Sequence, residues 1–320
     1  TRGAHRRIVP RTRAACRRDG TLASGAGRFD DVLAVSAIAQ DPDDPLRGLE
    51  VGDRPVPDVP AGWTRVHVRA AALNHHDLWS LKGVGLAADR LPMVLGCDAA
   101  GVDDEGREVV VHAVVGDPDA GGGDETLDPR RTLLSELHDG TLAEQVVVPA
   151  RNVVVKPEAL SWEQAACLPT AWLTAYRMLT TRGRVTAGET VLVQGAGGGV
   201  ATALVQHAHA MGARVWVTSR DEAKREHALA IGADAAFDSG ARLPDRVDAV
   251  METVGAATWA HTLRALRPGG RVVVSGATTG SMPPADLSRV FFLQLSVVGS
   301  TMGTRDELER LLRFLSVSGV

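Results

Sequence analysis

Thr190-Val-Leu-Val-Gln-Gly-Ala-Gly-Gly-Gly-Val-Ala-Thr-Ala-Leu-Val-Gln206 changes its hydrophobic pattern at a cluster of glycines. Its first four residues are apolar or β-branched, which is typical of a strand buried on both faces. After the glycines, apolar residues recur at helical spacing, and Gly212 ends that pattern. The stretch therefore predicts a strand, a tight turn and a helix.

A second strand pattern, Arg214-Val-Trp-Val-Thr-Ser219, follows the predicted helix. Such a unit is typical of dinucleotide binding, because glycines let the backbone approach a pyrophosphate and the helix N-terminus attracts its charge. Two registers fit this fingerprint, Gly195-x-Gly197-x-x-Val200 and Ala196-x-Gly198-x-x-Ala201. We favour the second, which places a small residue at all three critical positions. A purely structural turn is the alternative.

The composition limits the class of protein. A chain of 320 residues is long enough for two domains, and 44% hydrophobic with 23% charged residues is an ordinary globular mix. Aromatic residues make up 4%, which argues against a nucleic-acid partner, and no apolar run is long enough to span a membrane. The three cysteines, Cys16, Cys97 and Cys167, are too few for a disulfide framework and favour a cytoplasmic protein.

The first 31 residues differ from the remainder of the chain. They contain eight Arg and three Asp, although the whole chain has a formal net charge of −4. An organelle transit peptide or a nucleic-acid arm is compatible with this composition. We interpret residues 1–31 as an extension that is disordered or non-native.

The remaining residues divide into two regions by their element pattern. Residues 32–157 contain short strand patterns without long helices, which predicts a β-rich domain. Within it, residues 116–140 are rich in glycine and charge and predict a surface excursion. Residues 158–320 alternate helix and strand patterns, beginning with a capping signal at Ser161 and Gln164. This alternation indicates a doubly wound parallel sheet and an α/β fold class.

Several motifs follow one another along the chain: Asn74-His-His-Asp-Leu-Trp79, Leu95-Gly-Cys-Asp-Ala-Ala-Gly101, residues 140–149, 166–176 and 195–212, Glu252-Thr-Val-Gly255, and residues 267–276. Taken in this order, they resemble the medium-chain dehydrogenase/reductase superfamily, specifically its quinone-oxidoreductase-like branch. The resemblance implies a GroES-like β domain over residues 32–157, a Rossmann domain over residues 158–320, and hydride transfer from a nicotinamide cofactor in the cleft between them. Family members usually return to the β domain after the Rossmann domain. We expect that segment to be missing here, which would weaken the first domain and the closing of the cleft.

The end of the second strand indicates which nicotinamide cofactor is used. An acidic residue about 20 positions after the glycines would read the ribose of NAD, whereas Ser219, Arg220 and Lys224 occupy this region. A hydroxyl and two cations suit a 2′-phosphate, so we predict NADPH. NADH, read by Asp221, is the alternative, and Ser219 could simply cap the next helix with Glu222.

The resemblance also bears on zinc. The positions that hold catalytic zinc in zinc-dependent relatives correspond to Asn74, Cys97 and Thr170. One soft ligand among three cannot hold zinc tightly, so we expect no metal site. A rearranged site of Cys97, Asp98 and His76 is the alternative. Without zinc, Cys97 and Cys167 are expected to be small buried residues.

The expected catalytic residues come from the first motif. Asn74 can donate a hydrogen bond to a carbonyl oxygen, and by resemblance His76 occupies a proton-relay position while Asp77 orients the loop. His75 would face the cofactor pyrophosphate. A plain helix start with solvated imidazoles is the alternative for both histidines. The resemblance implies further cofactor contacts at Thr174, Gly197, Gly198, Gly199, Val200, Thr253, Gly276 and Ala277.

The sequence therefore predicts a cytoplasmic, NADPH-dependent, zinc-independent oxidoreductase that reduces a quinone or a conjugated carbonyl. One alternative is an alcohol dehydrogenase or aldehyde reductase, with or without metal. The other is an NADPH-binding sensor or structural protein that does not turn over. The apolar residues 293–298 could form the sheet edge of a homodimer.

Overall fold

The computed structural model describes residues 31–320, so the predictions for residues 1–30 lie outside the described residues. The first part of the described chain is built almost entirely from strands. These are β1 (Asp31–Ala37), β2 (Leu49–Pro55), β3 (Trp63–Ala72), β4 (Met93–Val94), β5 (Asp98–Asp103), β6 (Glu108–Val111), β7 (Val114–Val115), β8 (Thr132–Leu133), β9 (Gln145–Pro149) and β10 (Val153–Val155), with one helix, α1 (His75–Leu81). The buried valines of β3, β6, β9 and β10 face a shared core, as the predicted β-rich domain requires.

The strands form a five-stranded sheet of order β10-β6-β5-β3-β9 and a three-stranded sheet of order β2-β1-β4. The mostly β-branched run over residues 109–115 is divided into β6 and β7, with a break between Val111 and Val114. At the break, the Asn152 side-chain amide donates to the carbonyl oxygens of His112 and Val114, at 2.9 and 2.7 Å. Hydrogen bonds from a buried side chain thus replace the hydrogen bonds between strands at this break. The periodicity of the sequence does not show the interruption.

Residues 116–140 are not simply a surface excursion. Glu125, Leu134 and Ser135 in this segment are fully or almost fully buried. Asp124 accepts a hydrogen bond from Arg177 at 2.5 Å, which links the segment to the helical region that begins after residue 160. The surface prediction was therefore wrong for these residues, because glycine and charge content says nothing about burial by distant chain segments.

The helical region after residue 160 begins as predicted, but it is not one regular helix. Ser161 and Gln164 form the predicted capping box at the start of α2 (Trp162–Ala166). A π-helical segment, Leu168–Trp172, follows, then α3 (Leu173–Arg177) and a second π-helical segment, Met178–Arg182. Pro169 lacks the amide hydrogen that a regular helix would use here. Cys167, at the end of α2, is exposed, so its predicted burial was wrong.

The second part of the chain forms a parallel sheet with helices between its strands. The elements are β11 (Thr190–Val193), α4 (Gly199–Ala210), β12 (Arg214–Thr218), α5 (Glu222–Ala230), β13 (Ala235–Phe237), β14 (Val247–Glu252), α6 (Ala256–Ala265), β15 (Leu266–Val274), α7 (Leu287–Phe292), β16 (Ser296–Gly299) and α8 (Arg305–Ser318). The strand order is β13-β12-β11-β14-β15-β16, and every pairing is parallel. This confirms the doubly wound sheet. Its strand order reverses between β11 and β14, where such folds bind ligands at the carboxyl ends of the strands.

Helix α8 leaves this sheet and crosses to the first one. Four of its leucines are buried in a core shared with strands β5, β6 and β10 and with helix α2: Leu308, Leu311, Leu312 and Leu315. Glu307, near its start, accepts a hydrogen bond from Arg177 at 2.6 Å. Helix α8 therefore contributes to the core of the first sheet, and the expected absence of a return segment stays a prediction. Among residues 31–320, no helix is long and apolar enough to cross a membrane.

Candidate active site

The candidate active site is built around the start of helix α1. Asn74 caps this helix in an extended conformation, and its backbone amide donates to the Asp77 carboxylate at 2.7 Å. Asp77 is buried, and desolvation raises its pKa despite the opposing effects of that hydrogen bond and of His76. The orienting role of Asp77 stays a prediction, and the hydrogen bond to the Asn74 amide is the contact through which it would act. The same hydrogen bond fits the helix-start interpretation, so the two are compatible.

A hydrogen-bonded cluster lies beneath Asn74. The Asn74 side-chain amide donates to Asp98 Oδ2 at 2.8 Å, and the Thr170 hydroxyl donates to Asp98 Oδ1 at 2.6 Å. Asp98 begins β5 in the first sheet, whereas Thr170 comes from the helical region, so the cluster joins the two parts of the chain. Asp98 is only 1% exposed. Desolvation raises its pKa to about 7, opposed by the hydrogen bonds from Thr170 and Asn74 and reinforced by the Asp77 carboxylate.

His76 is held by three side chains, two of which the sequence analysis missed. Its Nε2 lies 2.9 Å from Glu136 Oε1, and its Nδ1 lies 3.3 Å from Ser135 Oγ and 3.4 Å from Cys97 Sγ. The Glu136 carboxylate favours a proton on Nε2, which leaves Nδ1 as an acceptor for the hydroxyl or the thiol. Both ring nitrogens therefore face protein groups, and His76 could exchange a proton with a substrate only through these groups or water.

Cys97 is buried, and desolvation raises the pKa of its thiol well above the usual value, with Asp98 and Asp77 adding to the effect. This confirms its predicted burial.

The positions corresponding to the zinc ligands of the relatives do not fit a catalytic zinc, because Asn74 and Thr170 offer a neutral amide and a hydroxyl, and both donate to Asp98. Within residues 31–320, no group of three or more His, Cys, Asp or Glu side chains is arranged to hold a metal ion.

The glycine turn lies at the carboxyl end of β11. Gly195 and Gly197 have positive φ angles of 76° and 100°, which favour glycine and fit the first register. Ala201 is 3% exposed in the helix–sheet core, where the second register expects a small residue. Gly198 caps α4 in an extended conformation. The turn thus combines features of both registers. The backbone angles fit the first register, and only the packing of the helix on the sheet fits the second register that we favoured.

The residues predicted to read the 2′-phosphate lie beside this turn. A Cβ atom built on Gly197 would come within 2.6 Å of Lys224 Cδ, so the lysine stem lies across the turn. Ser219 is buried and its hydroxyl accepts from the Asp221 amide at 3.2 Å, whereas Arg220 is exposed. The side chain that caps α5 belongs to Asp221, so the proposed Ser219–Glu222 cap is wrong.

The loop after β14 is fixed by the buried carboxylate of Glu252, which belongs to a quoted motif but was given no role there. Glu252, fully buried, accepts from the amides of Val254 and Gly255 at 2.8 and 3.0 Å. It also accepts from the hydroxyls of Thr258 and Thr262. These contacts hold Thr253, one of the predicted cofactor residues, at the carboxyl edge of the sheet. The available signal was an acidic residue at the carboxyl end of a mostly apolar strand pattern.

The other predicted cofactor residues come from several different elements. A Cβ atom built on Gly276 would come within 2.9 Å of the Thr253 carbonyl oxygen, which brings the ends of β14 and β15 together, with Ala277 next in the chain. Thr174 is buried in α3. A Cβ atom on Gly199 would lie 3.3 Å from Ala171 Cβ, so this helical region also borders the glycine turn. His75 is exposed at the start of α1.

Comparison with known proteins agrees with this architecture. Residues 60–158 match the alcohol dehydrogenase GroES-like domain, and residues 199–317 match the zinc-binding dehydrogenase family. An acryloyl-coenzyme A reductase of Metallosphaera sedula is 31% identical over 289 residues, covering 83% of this chain and 85% of that protein.

Two solved structures share the fold over nearly the whole chain. One is an NAD-dependent alcohol dehydrogenase, 36% identical, with a TM-score of 0.81 over 88% of each chain. The other is a 2-octenoyl-CoA carboxylase reductase in complex with NADP and 2-octenoyl-CoA, 25% identical, with a TM-score of 0.82 over 91% of this chain and 80% of that one. With two domain matches in the expected order and relatives along most of its length, the chain belongs to the medium-chain dehydrogenase/reductase superfamily of oxidoreductases.

Proposed function

We propose that this protein is an NADPH-dependent reductase of a carbon–carbon double bond conjugated to a carbonyl, and that it works without catalytic zinc. The observation that carries the proposal is the Asn74–Asp98–Thr170 cluster, with hydrogen bonds of 2.8 and 2.6 Å, at positions where zinc-dependent relatives bind their metal. A neutral amide donor suits a carbonyl oxygen that gains negative charge during the reaction. The relatives named as acryloyl-CoA and 2-octenoyl-CoA reductases support this acceptor class.

The reduction requires a hydride at the β-carbon and a proton at the α-carbon of the acceptor. When bound, NADPH supplies the hydride. Asn74 then donates a hydrogen bond to the carbonyl oxygen, which accumulates charge as the β-carbon is reduced. Water supplies the proton, or it comes through the pair of His76 and Glu136. Glu136 also borders a cavity of about 320 Å³ with Arg131, Thr301 and Met302, which gives this pair a route to water.

The preference for NADPH over NADH is supported by the cations beside the glycine turn. Lys224 extends over Gly197, and Arg220 is exposed at the end of β12. The residues that would hold the cofactor are those of the turn, the Ser219–Lys224 region, Thr253, Thr174, His75, and the Gly276–Ala277 pair. Asp221 already accepts from the Lys224 amide as a helix cap, which disfavours it as a reader of the NAD ribose.

Quinones are the second acceptor class, because they are also conjugated carbonyls. An alcohol dehydrogenase or aldehyde reductase is the alternative favoured by the NAD-dependent relative. These possibilities are separated by measuring NADPH consumption with crotonyl-CoA, 2-cyclohexenone, a benzoquinone and an aldehyde, with NADH as control and with and without a metal chelator. We expect reduction of the first two substrates, unaffected by the chelator. Activity on aldehydes alone that the chelator abolishes would contradict the proposal, and binding of NADPH without any turnover would favour a sensor.

We also retain the division into residues 32–157 and 158–320, a cytoplasmic location and a homodimer as proposals. Strand β16 is the edge of the parallel sheet. Val297 on that strand, and Phe291 and Phe292 on α7, are exposed by 52%, 60% and 76%, which provides the apolar surface that edge pairing would cover. We expect a Val297→Lys variant to sediment as a monomer. A wild-type monomer at micromolar concentration would contradict the dimer.

A further inference from the structure

Asp98 is a buried carboxylate without a cation. Within residues 31–320, no Lys, Arg or His side chain forms an ion pair with Asp98. The Asp77 carboxylate further disfavours a negative charge on Asp98. Buried carboxylates normally gain such a partner, because removing a charge from water is costly. From the described residues 31–320, the carboxylate accepts two side-chain hydrogen bonds, one from Asn74 and one from Thr170. A buried carboxylate whose environment disfavours its charge costs stability, and such an arrangement is typical of a functional group.

The hydrogen bond to Asp98 determines how the Asn74 amide is oriented. An Asn side chain presents an NH₂ group with two hydrogens and a carbonyl oxygen, which are interchangeable by rotation. The acceptor Asp98 Oδ2 at 2.8 Å selects the orientation that directs the NH₂ group toward it. One hydrogen is used in this contact, and the second remains for another acceptor. Without Asp98, the amide could equally present its oxygen, which would repel a carbonyl.

Thr170 fixes the carboxylate from the other side. Its hydroxyl donates to Asp98 Oδ1 at 2.6 Å and comes from the helical region that borders the glycine turn. The Thr141 hydroxyl additionally donates to the Asp98 backbone oxygen at 2.9 Å. The orientation of Asn74 is thus transmitted from the nucleotide-binding part of the chain through one carboxylate.

We propose that Asp98 is a positioning residue, which together with Thr170 holds the Asn74 amide with one N–H directed at the acceptor carbonyl oxygen. The proposal rests on the proposed function, because Asn74 is the group that touches the acceptor. It adds that Asp98 acts only through Asn74. Loss of Asp98 therefore lowers kcat and leaves the affinity for NADPH unchanged.

The kinetic test is a double-mutant cycle with crotonyl-CoA and NADPH. Because a lost oxyanion donor costs about 100- to 1,000-fold in kcat, we expect Asn74→Ala to reach that range and Asp98→Leu to lose at least about tenfold. In the Asn74→Ala background, Asp98→Leu should have no further effect. Thr170→Val should lower kcat, and Thr170→Ser, which keeps the hydroxyl, should restore it. The matched control is Asp103→Asn, a buried carboxylate at the other end of β5 that bonds Arg107, and it should leave kcat unchanged.

A second measurement does not require turnover. The sequence contains only two asparagines, Asn74 and Asn152, so selective ¹⁵N-asparagine labelling gives two side-chain amide signals. Asn152 serves as the internal reference, because both its hydrogens are bonded to carbonyl oxygens in the protein. We expect one Asn74 amide hydrogen to exchange slowly with water and the other quickly. In Asp98→Leu, both Asn74 hydrogens should exchange quickly while the Asn152 signals stay in place.

The two proposals fail in different ways. If Asn74→Ala lowers kcat but Asp98→Leu does not, or if their effects multiply, the positioning role of Asp98 is wrong and the proposed function stands. If no acceptor is reduced, the proposed function fails, and the exchange experiment decides whether Asp98 still orients Asn74. Equal exchange of the two Asn74 hydrogens in the wild-type protein would overturn the inference.

Discussion

The nucleotide region and the acceptor region of this protein are assembled in different ways. The glycine turn, its helix and the following strand occupy one continuous segment, from β11 to α5. The acceptor region instead joins residues far apart in the chain. Asp98 lies 24 residues from Asn74 and 72 from Thr170, and Glu136 lies 60 residues from His76.

This difference predicts which contacts each region depends on. The nucleotide turn is determined by its own glycines and by the strands on either side. The acceptor region requires the two parts of the chain to keep their relative position, because its hydrogen bonds cross between them. Changes at the contacts between the parts should therefore disturb acceptor chemistry before nucleotide binding.

The largest effect is expected from Arg177→Met. Arg177 is 4% exposed and bonds Glu307 of α8 at 2.6 Å and Asp124 of the 116–140 segment at 2.5 Å. Removing one partner of a buried ion pair typically costs about 3–5 kcal/mol. We expect a loss of this size in urea unfolding, and a lower kcat with NADPH affinity retained in the folded fraction.

The control for Arg177 is Arg54→Met, whose partner Glu50 is 49% exposed at 3.3 Å. An exposed pair of this kind contributes below about 1 kcal/mol. If Arg177→Met and Arg54→Met lower the free energy of unfolding by the same amount, the buried ion pair contributes no more stability than the exposed one. If Arg177→Met loses NADPH binding as severely as kcat, the distinction between the two regions is wrong.

A smaller effect, confined to the nucleotide region, is expected from Gly197→Ala. The residue has a φ of 100°, which costs a non-glycine residue about 1–3 kcal/mol, and the new Cβ would meet Lys224. The Kd for NADPH, measured by fluorescence titration, should rise by about tenfold or more. Gly240→Ala is the matched control, since its φ is 79° and no atom lies within 4 Å of a new Cβ. Equal weakening in both variants would contradict a local cause.

The two regions should also respond to pH in opposite directions. The pKa of Asp98 is raised to about 7 in the folded protein, so the folded state keeps this proton at pH values where the unfolded chain has lost it. The stability that Asp98 contributes is therefore lost as the pH rises from about 4 to 7. His207 in α4 has a pKa that desolvation lowers to about 4. The stability that the neutral His207 contributes to the folded state is present above about pH 6.5 and is lost as the pH falls toward 4.

Urea unfolding between pH 4.5 and 7.5 tests both signs. Relative to wild type, Asp98→Leu should gain stability as pH rises, and His207→Leu should gain stability as pH falls. Each slope is at most about 1.4 kcal/mol per pH unit. Slopes of the same sign would contradict the opposite charge preferences of the two buried groups.

The smallest effect is expected from Lys224→Met. Loss of one charged contact to a 2′-phosphate should lower kcat/KM for NADPH about fivefold, or ~1 kcal/mol, and leave the value for NADH unchanged. The control is Arg214→Met, an exposed cation at the opposite end of β12. A parallel loss with both cofactors would show that Lys224 supports the turn and does not read the phosphate.

The sequence was informative wherever structure depends on neighbouring residues. The strand of residues 190–193, the helix of residues 199–210 and the Ser161 capping box lie where the patterns predicted them. Glu136 and Ser135 were missed because their surrounding segment is rich in glycine and charge, and only the fold brings it to His76. Cys167 was misjudged because α2 ends at Ala166, so Cys167 is not inside the continuous apolar helix that the pattern predicted. The roles of the predicted site residues stay predictions until the variants are measured.

Helix α8 has a consequence for how this protein is made. Its leucines complete the core of the first sheet, although they are synthesised some 150 residues after the last strand of that sheet. At ribosomal speeds of about 5–20 residues per second, that delay lasts roughly 10–30 s. During translation, the earliest strands therefore keep an apolar face uncovered until helix α8 has emerged from the ribosome and can pack against it.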